Sequence, residues 1–223
     1  MTKNKNYDTL KKFAVELGAS AFGVCETEEL TADLNFAVSI AVRLSKKVLD
    51  EITDKPTKLY FHHYKQANNL LDHIAMRLAN FIQQQGYNAL PIPASQIVDW
   101  QKQTAHLSHK RIAHLAGIGW LGRHNLIVHP EYGSQIRLVT VLTDMPLSVD
   151  KPLKKDCRAC RERECVAVCP AGAIKEEQKD FDHLACFEKL KFFQKQRYAD
   201  QFICGVCVKA CPPDKQAGSG NPT

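Results

Sequence analysis

Apolar residues at 10, 13, 14 and 17 recur at the i, i+3, i+4, i+7 spacing of one helical face, so residues 6–18 predict an amphipathic helix that Gly18 ends. The runs AFGVCE (21–26) and FAVSIAVRL (36–44) are short, rich in β-branched or aromatic residues, and predict core strands. From about 58 to 85 the pattern turns helical again, with Leu70, Leu71, Ile74, Leu78, Phe81 and Ile82 on one face and Gly86 as the stop. YNALPIP (87–93) predicts a strand end running into a proline-set loop. Residues 108–116 fit a short helix leading into GIGWLG, whose three glycines imply tight turns or close backbone approach. LIVHP (126–130) and IRLVTVLTD (136–144) are the clearest strands, joined through EYGS.

Helices and strands mixed in this way, with no regular βαβ repeat, predict an α+β fold. The stretch MPLSVDKPLKKD (145–156) holds two prolines and five charged residues and reads as a linker. It divides an N-terminal α+β domain, expected over 1–147 and holding a cofactor or substrate, from a cysteine-rich domain over 148–213. Residues 214–223, ending in AGSGNPT, are expected to be a disordered tail.

Hydrophobic content of 44% and charged content of 24% are those of an ordinary globular protein. The lysine-rich start, MTKNKNYDTLKKFAVELG, has no apolar core of a secretory leader, and no stretch approaches 18 uninterrupted apolar residues. A cytoplasmic chain with no membrane partner is therefore expected. In that compartment thiols stay reduced, so nine cysteines suggest metal binding rather than a disulfide framework. The formal charge of +6 would suit a nucleic-acid surface, but metal-bound thiolates would offset it.

Eight of the nine cysteines lie in the last third of the chain. CRACRERECVAVCP (157–170) spaces four of them by two, four and three residues, and CGVCVKACP (204–212) is a sparser copy, with Cys186 between them. Bacterial ferredoxins use C-x2-C-x2-C-x3-C-P, and the fourth cysteine of each run ligates the other cluster. On that pattern Cys157, Cys160, Cys165 and Cys211 would hold one [4Fe–4S] cluster, and Cys169, Cys186, Cys204 and Cys207 a second. Structural zinc is the competing reading of C-x2-C pairs, although it leaves both cysteine–proline endings unexplained. Cys25, alone on an apolar strand, reads as a small buried hydrophobe.

The stretch AGIGWLGRHNLIVHPEYGSQIRLVTVLTDMPL (116–147), followed by CRACRERECVAVCPAGAI, closely resembles epoxyqueuosine reductase, an enzyme family related to reductive dehalogenases. LKKFAVELGASAFGVCE and HHYKQANNLLDHIAMRLANFIQQQGYNALPIP resemble it more weakly. The resemblance implies a nitroreductase-like, cobalamin-processing-like α+β domain joined to a ferredoxin-like module with two [4Fe–4S] clusters. It also implies cobalamin as a further cofactor and tRNA as a partner. Three departures stand out. The first cysteine run carries two extra residues within RERE, expected to bulge toward solvent or a donor. The family continues into a helical-repeat domain, so the likeness is to a shortened form lacking it. The family's catalytic aspartate falls, counting back 14 positions from Gly117, on Gln103, which cannot act as a general acid.

His106 and His109 flank that position in WQKQTAHLSHKR, and with Gln103 they make up the candidate catalytic set. Tyr60 and His63, just before the long helix, and Gly117, Gly119, Trp120, Arg123 and Asn125 around GIGWLGRHN are the candidate cofactor-binding residues. Together these features lean toward a cobalamin-dependent iron–sulfur oxidoreductase that relays electrons from a donor such as ferredoxin or flavodoxin to a corrinoid or small-molecule partner. The alternatives are an electron-transfer module without a substrate of its own, and a shortened tRNA-modifying reductase.

Overall fold

A computed structural model describes residues 2–27, 33–99, 104–157, 160 and 163–211. The chain divides into two compact units. The first comprises residues 1–43, 67–119 and 137–153, and the second comprises 44–66, 120–136 and 154–223. The division is not a single cut at 147/148: two segments from the N-terminal two thirds group with the cysteine runs. The tail expected over 214–223 lies outside the described residues.

The first unit is built on a four-stranded sheet of order β1-β2-β6-β3, comprising β1 (Ala21–Glu26), β2 (Phe36–Arg43), β3 (Ala89–Ile92) and β6 (Ile136–Thr143). β1 pairs antiparallel with β2, and β3 antiparallel with β6. β2 is buried at seven of its eight positions because both of its faces are covered, which explains its unbroken apolar run. On one face Phe36, Val38, Ile40 and Val42 join Phe22, Val24, Val139 and Val141 against helices α1 (Thr2–Glu16) and α3 (Lys58–Gln84). On the other, Cys25, Ala37, Ile92 and Leu142 pack with Ile112 and Ala116 of the α4 region, α4 being His109–Leu115.

The 3.6-residue period of α3 sets this packing. Leu71, Ile74, Leu78 and Ile82 are fully buried, each worth roughly 1.5–3 kcal/mol relative to exposure. Leu70, expected on the same face, is 36% exposed and sits at its edge, beside Gly18. Gly86 stops the helix in the left-handed region, at φ +84°.

Two expectations are corrected. Of LIVHP, expected as a strand over 126–130, only Ile127–Val128 is extended (β5), and it pairs with β4 (Trp120–Leu121) in a separate two-stranded ribbon. Nor is 145–150 a free linker. Met145 and Leu147 are buried in the core, and Asp150 docks on the open edge of β1. Its carboxylate accepts from the Val24 N–H (2.9 Å) and the Tyr7 hydroxyl (3.0 Å), while its own N–H donates to Val24 O (2.8 Å). A polar strap so covers an edge that would otherwise offer unpaired backbone groups. Burial, together with the Asp150 charge, raises the Tyr7 hydroxyl above its ordinary range and keeps it a donor.

Gly23 marks the tightest approach in this unit, since a Cβ there would lie 2.1 Å from the Ala116 carbonyl oxygen. Gly23→Ala should force α4 off β1 and lower the unfolding free energy by about 1–3 kcal/mol in urea titrations. An unchanged midpoint would contradict this packing.

Candidate metal centre

In the second unit, the cysteine runs enter two four-residue helices in matching ways. Helix α5 (Glu164–Ala167) carries Cys165 and α7 (Val206–Lys209) carries Cys207. Each is preceded by a left-handed residue two positions before its cysteine, Arg163 at φ 46° and Gly205 at φ 85°. Helix α6 (His183–Lys195) supplies Cys186, its N-terminus capped by Asp182, whose carboxylate accepts from the Ala185 N–H (2.9 Å). The short helix α2 (Lys46–Asp50) packs on α7, and Lys209 Nζ donates to the carbonyls of Asp50 (3.0 Å) and Ile52 at its C-terminal end.

Burial pushes the Cys165 thiol up, with Cys157 and Cys160 adding to the rise, and burial pushes Cys211 up to about 11, with Cys157 and Cys165 adding to it. Burial also pushes Cys204 up to about 12, beside Cys186 and Cys169, and raises Cys207 well above its ordinary value beside Cys204, Cys186 and Cys169. Cys165 also raises Cys207, to a smaller extent. Cationic compensation is sparse: Arg123 eases Cys165 and Lys189 eases Cys204.

Thiols raised in this way stay protonated unless a cation sits among them, and a coordinating thiol is deprotonated outright. Cysteine thiols are the donors that both zinc and iron–sulfur clusters take. Tetrahedral zinc needs four ligands meeting about one point at roughly 2.3 Å from sulfur. Among the described residues no three donors converge in that way. A [4Fe–4S] cluster makes a different demand, with four thiolates spread around a cube.

The residues expected around a corrinoid are mostly engaged elsewhere. Tyr60 is buried, and its ring lies against Gly205, where a Cβ would come within 2.6 Å of Cε1. His63 Nε2 accepts from the Ser45 N–H (2.9 Å) ahead of α2. Gly117 takes φ +69° and meets the Lys151 carbonyl, and the Gly119 carbonyl accepts from His114 Nδ1 (3.1 Å). Asn125, at φ 58°, closes the β4–β5 turn through its N–H to Gly122 O (2.9 Å). Arg123 is 5% exposed and donates from Nε to Glu176 O (2.6 Å). Only Trp120, 7% exposed beneath Lys155, keeps a buried Nε1–H without a partner among the described residues.

The catalytic candidates fare similarly. His109 Nε2 donates to Pro93 O (2.9 Å), which leaves Nδ1 to accept from the Thr140 hydroxyl (2.8 Å). With both ring nitrogens used, it pins α4 to the sheet and has no proton to offer a substrate. His106 is exposed. Gln103 lies outside the described residues, as do Arg161 and Glu162 of the RERE stretch. Cys25 is 4% exposed, in the core as expected. Sequence reasoning missed Ser134, which is 2% exposed and bonded to Cys211 (N–H to O, 3.2 Å); a serine after Gly133 carries no metal-ligand signal.

No protein-family profile matches the chain. In fold it is similar to a catabolic reductive dehalogenase in complex with 3-bromo-4-hydroxybenzoic acid, with a TM-score of 0.69 and 20% identity over 78% of this chain and 26% of that one. The same fold recurs in epoxyqueuosine reductase from Streptococcus thermophilus, with a TM-score of 0.64 and 20% identity, covering 96% of this chain and 67% of that one. The chain therefore shares the fold common to these two structures. In sequence it is more particular: the chain is 34% identical to epoxyqueuosine reductase of Bacillus cereus over 119 residues, 50% of this chain. That match spans 31% of the Bacillus cereus protein's length. The chain is thus epoxyqueuosine reductase-like in sequence and in fold. No helix among the described residues is long and apolar enough to cross a membrane.

Burial lowers the His109 pKa from its ordinary 6.5, and the Arg137 charge adds to this against opposing contributions from Pro93 and Asp72. Its folded form is therefore neutral, and its contribution to stability is full above pH 6.5, where the unfolded imidazole is neutral too. It falls as pH drops below 6.5 toward the lower folded value, because only the unfolded chain takes up the proton. Urea titrations between pH 7.5 and 5 should show a stability loss that His109→Gln reduces. An identical slope in the variant would contradict the neutral, doubly bonded ring.

Glycine at 205 is required twice, by its positive φ and by the Tyr60 ring. Gly205→Ala should displace the Cys204–Cys207 loop from the Tyr60 ring and lower the unfolding free energy by about 1–3 kcal/mol in urea titrations. An unchanged midpoint in the variant would refute this.

Proposed function

We propose that the chain is a cytoplasmic iron–sulfur oxidoreductase that carries two [4Fe–4S] clusters and passes single electrons between a donor protein, such as ferredoxin or flavodoxin, and an acceptor. The observation that carries this reading is the pair of cysteine runs, each entering a four-residue helix through a left-handed residue two positions before its cysteine, with Cys186 on α6 between them in sequence. Cys157, Cys160, Cys165 and Cys211 would hold one cluster; Cys169, Cys186, Cys204 and Cys207 would hold the other. The clusters supply one-electron chemistry when bound. The protein's own part is to present Cys165, Cys186 and Cys207 on α5, α6 and α7 with the other thiols beside them, to shield Cys165 from water, and to offset part of their charge with Arg123 and Lys189.

The resemblance to epoxyqueuosine reductase proposes a corrinoid as acceptor and an unidentified substrate beyond it. The unpartnered Trp120 Nε1–H is the one candidate group left free for such a ligand. A second reading, an electron-transfer module serving a partner enzyme, is favoured by the occupied ring of His109 and the local bonding of His63, Arg123 and Asn125.

Anaerobic reconstitution should give about eight irons and eight sulfides per chain. Titration with hydroxocobalamin should then change its absorption spectrum on reduction of the clusters. Eight irons with no spectral change would leave only the second reading, and fewer than four irons would overturn both.

A further inference from the structure

Helix α6 has two faces of different chemistry. Phe193 is 4% exposed and packs against Tyr198, and Cys186, two turns earlier on the same side, is half-buried. The opposite stripe, residues 184, 188, 191 and 195, faces solvent, with Leu184 72% exposed. Phe192 flanks it, 48% exposed, with Lys189 Nζ over its ring (5.3 Å to the centroid). Residues 183–197 carry four lysines and arginines against one carboxylate, Glu188, which Lys191 already holds. Asp200, the next carboxylate, is paired with Lys58 (3.3 Å). Among the described residues Lys195 and Arg197 form no ion pair, and Lys55 adds a further cation over the Tyr198 ring (4.7 Å).

The end of α6 carries an independent sign. The Arg197 N–H donates to Gln194 O (2.8 Å) and the Tyr198 N–H to Phe193 O (3.1 Å), the paired bonds of a Schellman ending. Such an ending needs a left-handed residue, which glycine takes freely. Here Arg197 takes it, at φ 58°. The strain exceeds what a surface cation gains from the helix dipole, so the arginine sits there at a cost to stability. Strain spent on an exposed, unpaired cation points to a use outside the fold.

We propose that the outward face of α6, from Leu184 to Arg197, is the docking surface for an acidic electron-donor protein. This deepens the reading of the chain as an electron carrier and rests on it. Lys195 and Arg197 complement a partner's carboxylates and speed its encounter, while Leu184 and Phe192 supply the apolar contact that holds it. Cys186, on the inward face, is then one helix width away, about 10 Å. A nucleic acid would meet the charge but leave Leu184 bare, and a second copy would set like charges together.

The test uses the full reconstituted chain, its iron counted first. Calorimetric titration with an oxidised, strongly acidic flavodoxin, and separately with an acidic ferredoxin, reads binding without turnover. The parent should bind at least one of them, with an affinity that falls as salt rises. Lys195→Glu and Arg197→Gly should each weaken binding by about tenfold at low salt, and Phe192→Ser should weaken it at high salt as well. Arg197→Gly should at the same time raise the urea midpoint, because glycine removes the left-handed strain. Parental affinity in both Lys195→Glu and Arg197→Gly would overturn the proposal. A lower midpoint in Arg197→Gly would do the same, by making the arginine part of the helix ending. So would an iron-loaded parent that binds neither protein, a tRNA stem-loop whose binding Lys195→Glu abolishes, or self-association that Phe192→Ser abolishes. A parent chain that binds no iron would instead refute the electron-carrier reading beneath it.

Discussion

Eight thiols drawn into one small unit cannot all ionise together unless cations are placed among them. Burial raises each shielded thiol, and every neighbouring thiolate raises it further. Among the described residues, Arg123 eases Cys165 and Lys189 eases Cys204, which offsets only part of that rise. The rest of the second unit answers to this constraint. Short helices present the cysteines, left-handed residues turn the backbone into those helices, and Lys209 ties α7 to the end of α2.

The paired entry into α5 and α7 bears on the irregular spacing of the first run. Arg163 and Gly205 occupy the same position relative to the cysteine that follows, with the same sign of φ. The added residues of the first run precede Arg163, so the geometry delivering Cys165 is kept while the loop before it is longer. In the second run that position must be glycine, because Tyr60 and Ile52 crowd it. In the first it can be arginine, and its side chain reaches Glu176.

Local bonding also redistributes roles among the polar residues. His109, His63 and Asn125 satisfy backbone or core partners, and a buried ring with both nitrogens bonded is a structural pin. Asp150 does for the sheet edge what a further strand would do. These uses of polar groups leave the chemistry of the chain concentrated on sulfur.

Much of the fold was legible in the sequence. Helix α3 was evident from its 3.6-residue period and β2 from a run too short and too β-branched for a helix, while cysteine spacing marked the part of the chain suited to metal chemistry. Each of these depends on neighbours a few residues apart, or on a residue type with one dominant chemistry. What only the tertiary structure decided depends on partners far along the chain. Tyr60 meets Gly205, Ser134 meets Cys211, and Asp150 meets Val24, all across more than 70 positions. Serine, tyrosine and aspartate can serve many purposes, so their type does not reveal which one. The three-dimensional packing selects it, by bringing one particular donor, ring or carboxylate to one particular backbone or sulfur atom.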